Sequence, residues 1–383
     1  MPWKETSAME ERVRFVTLYQ EGLYSLAELC ARFGISRPTG YKWLQRFQEG
    51  GFEGLKEQSR APKASPRRTP EEVEAAILAA RKAHPTWGPE KLRDYLRNHH
   101  PETEWPAPST CGAILKRHGL IPDQRRRKAH QPYPGSGPLV TTAPNQVWCI
   151  DFKGDFPTGD GRDCYPLTVM DAHTRYLLAC HALPSTAHAG AYAVFSRLFL
   201  AHGLPQALRS DNGAPFASTG LSGLTRLSLW WLKLDITHQR IQPGRPEQNG
   251  RHERMHRTLK AETTRPPAAN HRRQQERFDA FRREYNEERP HAALGGKTPA
   301  SLWTPSERQM PLRTPPWDYP GHHLVRKVNS HGSISFQHRT LFVSRTLCGE
   351  WIGMEEVADG LWSLYYREYL LGRLDEQKRK VVG

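Results

Sequence analysis

The segment NQVWCIDFKG, which begins at Asn145, constrains the fold more than any other part of the chain. Its apolar run is almost unbroken and ends at a carboxylate, Asp151, as is typical of a central strand buried on both faces. The stretches YPLTVMDAHT and RYLLACHAL follow, separated by short turn-like segments. The sequence therefore predicts three sequential antiparallel strands, with Asp151 at the end of the first.

Helical and strand-like segments alternate after these strands. A helix is predicted from about Ala187 to His202, because Gly203 follows it as a stop signal. The stretch QALRSDNG predicts a short strand that ends at Asp211, and DITHQRI predicts another strand. Consecutive strands followed by alternating helices and strands predict an α/β domain with a mixed sheet.

Three carboxylates are the strongest candidates for chemistry in this domain. Asp151 and Asp211 end predicted strands, and Glu253 lies in a helix that follows an Asn-Gly turn. Asp211 and Glu253 each have a simpler explanation in isolation, because an Asp before Asn-Gly commonly makes a turn and a Glu on a helix surface commonly pairs with an Arg four residues later, here Arg257. The simpler explanation is weaker for Asp151, because burying an unpaired charge is costly. Strand ends and helix starts meet at the edge of an α/β sheet, so the combination predicts a shared site.

Three converging carboxylates suit phosphoryl transfer. Two divalent cations roughly 3.5 to 4 Å apart clamp the attacking and leaving oxygens of a phosphodiester, and the protein supplies oxygen ligands. Magnesium accepts a few carboxylates and keeps water or phosphate in its remaining positions. We therefore expect Mg²⁺, with Mn²⁺ as a substitute, to be bound by Asp151, Asp211 and Glu253.

The chain is strongly basic. Its 383 residues include 55 Lys and Arg against 40 Asp and Glu, a formal net charge of +15. This charge suits nucleic acid, although a merely soluble basic protein would show the same balance. No apolar run reaches the roughly 18 residues of a membrane span, and the six cysteines form no CxxC pair or zinc grouping. We expect reduced cysteines, no membrane partner, and a cytoplasmic, nucleoid-associated protein.

The N-terminal stretch SLAELCARFGISRPTGYKWLQRF has the helix-turn-helix pattern. Ser25 and Ser36 are predicted N-caps of two helices, with Gly34 at the turn between them. The second helix of such a motif offers its early residues to a DNA groove. The candidate DNA contacts are Arg37, Thr39 and Lys42. A helical hairpin without DNA contacts has the same spacing and stays open as an alternative.

A second helical region follows and is predicted to open with a capping box at Thr69 and Glu72. It is interpreted as a further DNA-binding unit, with a spacer bundle as the alternative. A basic run after it is predicted to lie on phosphate, although a solvated charge run would look the same. Its residues are Arg125, Arg126, Arg127 and Lys128. Near the C-terminus, short strand-like runs predict a small β-barrel or sheet module.

WCIDFKG, LRSDNGAPF and GRPEQNGRHERMHRTLK resemble the three signatures of the integrase-core transposases of bacterial insertion sequences. These DDE enzymes are relatives of retroviral integrase and have a ribonuclease H-like catalytic domain. The resemblance implies that Asp151, Asp211 and Glu253 bind the metals. It also implies that Lys260, two helical turns past the glutamate, contacts the DNA end.

Three assignments in this motif need a choice. Arg254 and Arg257 either contact phosphate or brace Glu253 through ion pairs, and we favour phosphate. Glu247 lies closer to Asp211 than Glu253 does, nearer the usual gap in the family. We assign Glu253 because it follows the Asn-Gly turn, whereas Glu247 precedes it. Lesser candidates, expected to be turn or strand-end residues, are Asp155, Asp171 and Asp235.

The resemblance spans roughly residues 10–305 and gives the fold class, a multidomain α/β protein. The predicted domains are a helix-turn-helix domain (1–52), a linker (53–68), a second helical DNA-binding domain (69–122), a basic linker (123–142), a ribonuclease H-like catalytic core (143–305) and a small β-barrel (311–375).

The function implied by the resemblance is that of a DNA transposase. Such an enzyme binds the ends of its mobile element, cleaves to expose a 3′-OH and joins this hydroxyl to target DNA. The implied partners are double-stranded element ends, target DNA, further copies of the chain and, for some relatives, partner transposition proteins. Three alternatives stay open: an inactive DNA-binding regulator derived from a transposase, an architectural protein, and a ribonuclease H-like nuclease without strand transfer.

Overall fold

The computed structural model describes residues 7–57, 68–121, 140–218, 220, 223–242, 250–378 and 380–382. The chain divides into two compact units, 1–68 and 69–383, and the limits of the individual domains stay predictions. No helix among the described residues has the length and apolarity needed to cross a bilayer. Glu247 and the basic run Arg125, Arg126, Arg127 and Lys128 lie outside the described residues.

Three helices form the first unit: α1 (Ala8–Gln20), α2 (Leu26–Arg32) and α3 (Arg37–Gly54). The predicted caps are present, because the Ser25 hydroxyl accepts from the Glu28 amide and the Ser36 hydroxyl accepts from the Thr39 amide. Gly40 lets α3 approach α2 closely, since a Cβ there would lie 2.6 Å from the sulfur of Cys30. These local features produce the helix-turn-helix arrangement.

The second unit begins with α4 (Glu71–Ala83), α5 (Pro89–His99) and α6 (Pro108–Arg117). The predicted capping box is wrong, because Pro70 is the N-cap and no side chain caps the helix. The first turn of α4 is instead acidic, and negative charge stabilises the positive end of the helix dipole. The core of this region includes Ile77, Trp87, Leu92 and Leu115.

A six-stranded mixed sheet lies at the centre of the second unit. Its strands are β1 (Val147–Phe152), β2 (Phe156–Pro157), β3 (Asp163–Asp171), β4 (Leu177–Leu183), β5 (Ala207–Ser210) and β6 (Thr237–Arg240). β3 pairs antiparallel with β1, β2 and β4, whereas β5 pairs parallel with β1 and β6. The three predicted antiparallel strands and the mixed sheet are thus confirmed, and β2 is an additional short strand.

Helices cover both faces of this sheet. α7 (His188–His202) and α8 (Arg226–Lys233) pack on one face, and α9 (Gly250–Thr263) and α10 (His271–Arg283) pack on the other. Side chains alternate along β3, so Leu167 and Val169 face α7 and α8 while Met170 faces α9 and α10. Thr168 therefore faces α9, together with its cross-strand partner Asp151.

The C-terminal module is β-rich, as predicted. Its strands are β7 (Leu324–Lys327), β8 (Ser333–Phe336), β9 (Arg339–Phe342), β10 (Trp351–Ala358), β11 (Leu361–Tyr366), β12 (Tyr369–Asp375) and β13 (Lys380–Val382). Five strands form a sheet in the order β13–β12–β11–β10–β7, and β8 pairs with β9. In the described residues this sheet is open and not a closed barrel, because β13 and β7 remain at opposite edges.

A buried ion pair attaches the second helical region to the sheet domain. Arg289 Nη1 donates to the Glu262 carboxylate of α9 at 3.0 and 3.2 Å, and only 5% of the Arg289 side chain is exposed. Glu262 also accepts from the Thr86 hydroxyl at 2.6 Å, between α4 and α5. The Arg289 guanidinium lies 5.6 Å from the ring centroid of Trp87. These contacts hold α4 and α5 in place beside α9.

Loss of this ion pair should destabilise the protein strongly. Removing one partner of a buried pair leaves an unbalanced charge, so we expect Arg289→Met to lower the free energy of unfolding by about 3 to 5 kcal/mol. Arg272→Met is the matched control, because Arg272 and its partner Glu276 are exposed and such pairs contribute about 0 to 1 kcal/mol. Urea denaturation followed by circular dichroism measures both; equal, small losses would contradict the structural role of Arg289.

Candidate active site

Asp151 lies near the end of β1, where its side chain is 21% exposed. Burial, followed by the negative charge of Asp211 and more weakly that of Glu253, raises its pKa to about 7. The amide of Phe152 and the charge of Lys153 oppose this rise. The structure thus brings the three predicted acids near enough for Asp211 and Glu253 to disfavour ionisation of Asp151.

Asp211 directly follows β5, which runs parallel to β1, so the two acids lie toward the same edge of the sheet. Its Oδ1 accepts from the Gly213 amide at 3.1 Å, as in an Asx turn. The amide side chain of Asn212 donates to Ile241 O at 2.9 Å, which ties this turn to the end of β6. Asp211 therefore shapes a turn, and its negative charge also raises the pKa of Asp151.

Glu253 lies in the first turn of α9 and is exposed. Its carboxylate forms no hydrogen bond or ion pair with any other residue that the structure describes, so its position depends on the helix that carries it. Arg254 and Arg257 are exposed, and neither lies within 4.0 Å of Glu253 as an ion-pair partner. Lys260 is exposed two turns further along the same helix.

The three acids do not form one tight ligand set. Among the described residues, only His322, His323 and Glu355 place three ligand atoms within 4.8 Å of one another. Acids that hold two separate cations can lie further apart, because the cations themselves are roughly 3.5 to 4 Å apart. The all-oxygen donors and the mutual repulsion at Asp151 fit Mg²⁺ or Mn²⁺.

The group His322, His323 and Glu355 lies in the C-terminal module, away from these acids in sequence. The Nε2 atoms of the two histidines lie 3.6 and 4.0 Å from the oxygens of Glu355. The buried Nδ1 of His323 has no hydrogen-bond partner in the described chain, whereas a metal-bound histidine normally donates from its other nitrogen. The sequence does not indicate this group, because its members come from a turn and from β10.

Two histidines of α9 are buried beside Asp151. The exposed fraction is 0% for His252 and 5% for His256, and both approach the hydroxyl of Thr168, which is fully buried. Burial lowers the pKa of His252 to about 3. Burial, with smaller contributions from His252 and Lys153, lowers the pKa of His256 far below its ordinary value. Both rings are therefore neutral at pH 7, which the basic character of the motif did not indicate.

Asp171, a lesser candidate, is a buried turn residue as expected. Its Oδ1 accepts from the amide and hydroxyl of Thr174, both at 2.7 Å, and from the His173 amide. Its Oδ2 accepts from the Asn145 amide at 2.8 Å. These bonds satisfy both oxygens, so Asp171 stabilises the turn between β3 and β4.

The candidate DNA contacts of the first unit lie in the first two turns of α3. Arg37 and Lys42 are exposed. Thr39 is only partly exposed, and its hydroxyl lies 2.9 Å from that of Ser36 within the N-cap. Arg37 and Lys42 are therefore exposed enough to reach a groove, although the Lys42 ammonium also lies 5.1 Å from the ring centroid of Trp43. The hydroxyl of Thr39 already takes part in the cap.

Family models match every major part of the chain. A helix-turn-helix domain matches residues 11–63, and a homeodomain-like domain matches 39–115. Two integrase core domain models match 141–246 and 234–299, which together contain the three acids. A model of the C-terminal domain of IS481 family transposases matches 323–382.

Two curated relatives are proteins of bacterial insertion elements. The uncharacterized 39.2 kDa protein of IS476 from Xanthomonas euvesicatoria is 27% identical over 237 residues, covering 60% of this chain and 64% of the relative. The uncharacterized 31.7 kDa protein of IS407 from Burkholderia multivorans is 29% identical over 195 residues, covering 49% and 66%. The alignments thus span slightly less than two thirds of each relative.

Two solved structures share low similarity with the chain. The simian T-cell lymphotropic virus intasome in complex with PP2A regulatory subunit B56 gamma has a TM-score of 0.37 at 16% identity, covering 77% of this chain and 97% of that chain. The magnesium-bound catalytic core of HTLV-2 integrase has a TM-score of 0.32 at 14% identity, covering 42% and 97%.

The raised pKa of Asp151 predicts a pH-dependent stability in the absence of metal. Its folded pKa of about 7 exceeds its ordinary value of 3.8, so the folded state binds more protons between these pH values. The free energy of unfolding therefore falls as pH rises through this window. Asp151→Asn removes the effect, so the variant should exceed the wild type by up to about 4 kcal/mol at pH 8 and by little near pH 4.

Urea denaturation with a chelator present, at several pH values, measures this difference. Asp155→Asn is the control because Asp155 is exposed, and we expect it to follow the wild type at each pH. A difference between Asp151→Asn and the wild type that does not change with pH would contradict the raised pKa.

Proposed function

We propose that this chain, which belongs to the integrase-core insertion-sequence transposases, cleaves the ends of its mobile element and joins them to target DNA. Cleavage exposes a 3′-OH, and this hydroxyl then attacks a target phosphodiester. The observation that carries the proposal is the electrostatic coupling of Asp211 and Glu253 to the partly buried Asp151. Acids kept together despite repulsion are typical of a site that binds cations.

Asp151, Asp211 and Glu253 would hold Mg²⁺, with Mn²⁺ as a substitute. When bound, such ions polarise the attacked phosphate and stabilise the attacking and leaving oxygens of both phosphoryl transfers. The chain fixes the donors: parallel strands β1 and β5 orient the two aspartates, and α9 presents Glu253. Because His256 is neutral, it does not compete as a cation for Asp151.

Basic side chains beside this site suit the phosphates of a DNA end. Arg257 and Lys260 lie four and seven residues after Glu253 and so share its face of α9. Arg254 is exposed next to Glu253 and forms no ion pair with it, which favours the phosphate role over bracing. The net charge of +15 supports binding to a polyanion.

The remaining parts of the chain fit recognition and assembly. Arg37 and Lys42 would contact DNA in a groove, and Thr39, whose hydroxyl lies 2.9 Å from that of Ser36 in the N-cap, would lie beside them. The basic linker with Arg125, Arg126, Arg127 and Lys128 would lie on phosphate. Transposition holds two ends together, so we propose a homo-oligomer on double-stranded DNA, acting in the bacterial cytoplasm at the nucleoid. Partner transposition proteins remain an open alternative.

Strand joining is the reaction that tests this function. A pre-cleaved element end with a free 3′-OH is incubated with plasmid DNA and Mg²⁺ or Mn²⁺, and joined products are quantified. We expect Glu253→Gln to lower joining by more than about 100-fold, since losing a ligand should exceed the loss of an outer-shell partner. Glu247→Gln is the matched control and should join like the wild type, because Glu247 precedes the Asn-Gly turn.

End binding separates this proposal from its alternatives. Asp151→Asn should bind element ends as the wild type does but join none, because the helical regions and not the acids contact the ends. A wild type that binds ends without any reaction would favour the inactive regulator. Hydrolysis without joining would favour a nuclease, and binding indifferent to Mg²⁺ without cleavage would favour an architectural protein.

A further inference from the structure

The hydroxyl of Thr168 joins three parts of the candidate site. It donates to the backbone oxygen of Asp151 at 3.0 Å. His252 Nε2 and His256 Nε2 lie 2.6 and 2.7 Å from the hydroxyl oxygen of Thr168. Thr168 is on β3, Asp151 is on β1 and both histidines are on α9, so one hydroxyl connects two strands and a helix.

The number of protons in this cluster fixes the direction of each hydrogen bond. A hydroxyl has one proton and two lone pairs, and a carbonyl oxygen can only accept. The Thr168 proton therefore goes to Asp151 O, and the two remaining contacts require each histidine to donate from Nε2. A neutral imidazole has a single N–H, so both Nδ1 atoms carry lone pairs.

The surroundings of the two Nδ1 atoms permit this assignment. His256 Nδ1 lies 3.6 Å from Asp151 Oδ2, which is beyond hydrogen-bonding distance, so this contact does not require an N–H at Nδ1. His252 Nδ1 is buried and has no hydrogen-bond partner within the part of the chain that the structure describes. Leaving an acceptor unsatisfied is tolerated more often than leaving an N–H donor unsatisfied. The alternative tautomer would also leave two buried nitrogens facing the hydroxyl with only one proton to share.

This cluster lies on the part of α9 that carries Glu253. His252 and His256 are four residues apart and therefore lie on one side of α9, one turn from each other. The Glu253 carboxylate has no hydrogen-bond partner of its own among the described residues. Its distance from Asp151 depends on how α9 packs, which these donors and the apolar contacts of Met255 and Leu259 determine. Hydrogen bonds are directional, so they fix the rotation of the helix more narrowly than apolar contacts do.

We propose that Thr168, His252 and His256 form a positioning unit that sets the separation of Asp151 and Glu253. Both histidines donate from Nε2 to the Thr168 hydroxyl, so their role is to hold α9 in place and not to contact DNA. The effect on strand joining rests on the proposed function, whereas the hydrogen-bond directions do not. A purely structural role would lower stability without changing the dependence on divalent cation.

The tautomers are tested without reference to activity. Full-length protein labelled with ¹⁵N in histidine is studied by long-range ¹H–¹⁵N correlation spectra at pH 7, with His252→Gln and His256→Gln used for assignment. We expect Nε2 to carry a proton in both residues. A ring with its proton on Nδ1 alone, at either position, would overturn the inference.

The positioning role is tested with paired substitutions at Thr168. Thr168→Val keeps the shape but removes the hydroxyl, and Thr168→Ser keeps it. We expect Thr168→Val to raise the Mn²⁺ concentration for half-maximal joining by about 10- to 100-fold, and Thr168→Ser to stay near the wild type. Thr263→Val is the control, because Thr263 is buried on the same helix and its hydroxyl donates only to Leu259 O. It should lower the melting temperature without changing the Mn²⁺ dependence.

A second pair keeps the test usable if Thr168→Val does not fold. His256→Gln retains a side-chain N–H near the position of Nε2, and His256→Leu does not. Only His256→Leu should shift the Mn²⁺ dependence. The positioning role is wrong and the proposed function stands if the wild type joins ends and neither Thr168→Val nor His256→Leu shifts the Mn²⁺ dependence of joining.

If the wild type joins nothing, calorimetric titration with Mn²⁺ tests the positioning unit separately from the proposed function. Binding that needs Asp151 and is weakened by His256→Leu but not by His256→Gln supports the positioning unit while the proposed function fails. Binding that His256→Leu leaves unchanged overturns the positioning unit.

Discussion

Repulsion between partly buried carboxylates at the end of β1 is the constraint on which the rest of the site depends. Burial and the charge of Asp211 raise the pKa of Asp151 to about 7, so the fold keeps acids together at an electrostatic cost. Parallel pairing of β1 with β5 holds the two aspartates at one edge. The helix α9 adds Glu253, and oxygen donors with excess negative charge are what Mg²⁺ requires.

In the second unit, buried polar and apolar contacts fix the positions of the parts around this site. Arg289 and Glu262 attach the second helical region beside α9. Leu229 of α8 packs in the core of the C-terminal module, while its neighbour Trp231 packs against the mixed sheet. The same α9 thus carries the third acid, exposed basic residues and the anchor for α4 and α5. Under the proposed function, a DNA end bound along this helix would contact its basic residues and lie close to the third acid.

Local patterns predicted most of the fold and the three acids, because apolar runs, caps and turns depend on neighbouring residues. The strands that place Asp151 and Asp211, and the caps at Ser25 and Ser36, are examples. The role of His252 and His256 could not be predicted, since it depends on Thr168, which is 84 and 88 residues away. The sequence could not decide between a barrel and an open sheet for the C-terminal module for a similar reason, because barrel closure depends on pairing between distant strands. The capping box predicted at the start of α4 was wrong, because Pro70 is the N-cap and an acidic first turn takes the place of a side-chain cap.

Anomalous diffraction from crystals of the full chain soaked in Mn²⁺ would locate the cations independently of any reaction. We expect two Mn²⁺ ions roughly 3.5 to 4 Å apart, bound by Asp151, Asp211 and Glu253. Manganese bound through Glu247 in place of Glu253, or only at His322, His323 and Glu355, would contradict this expectation.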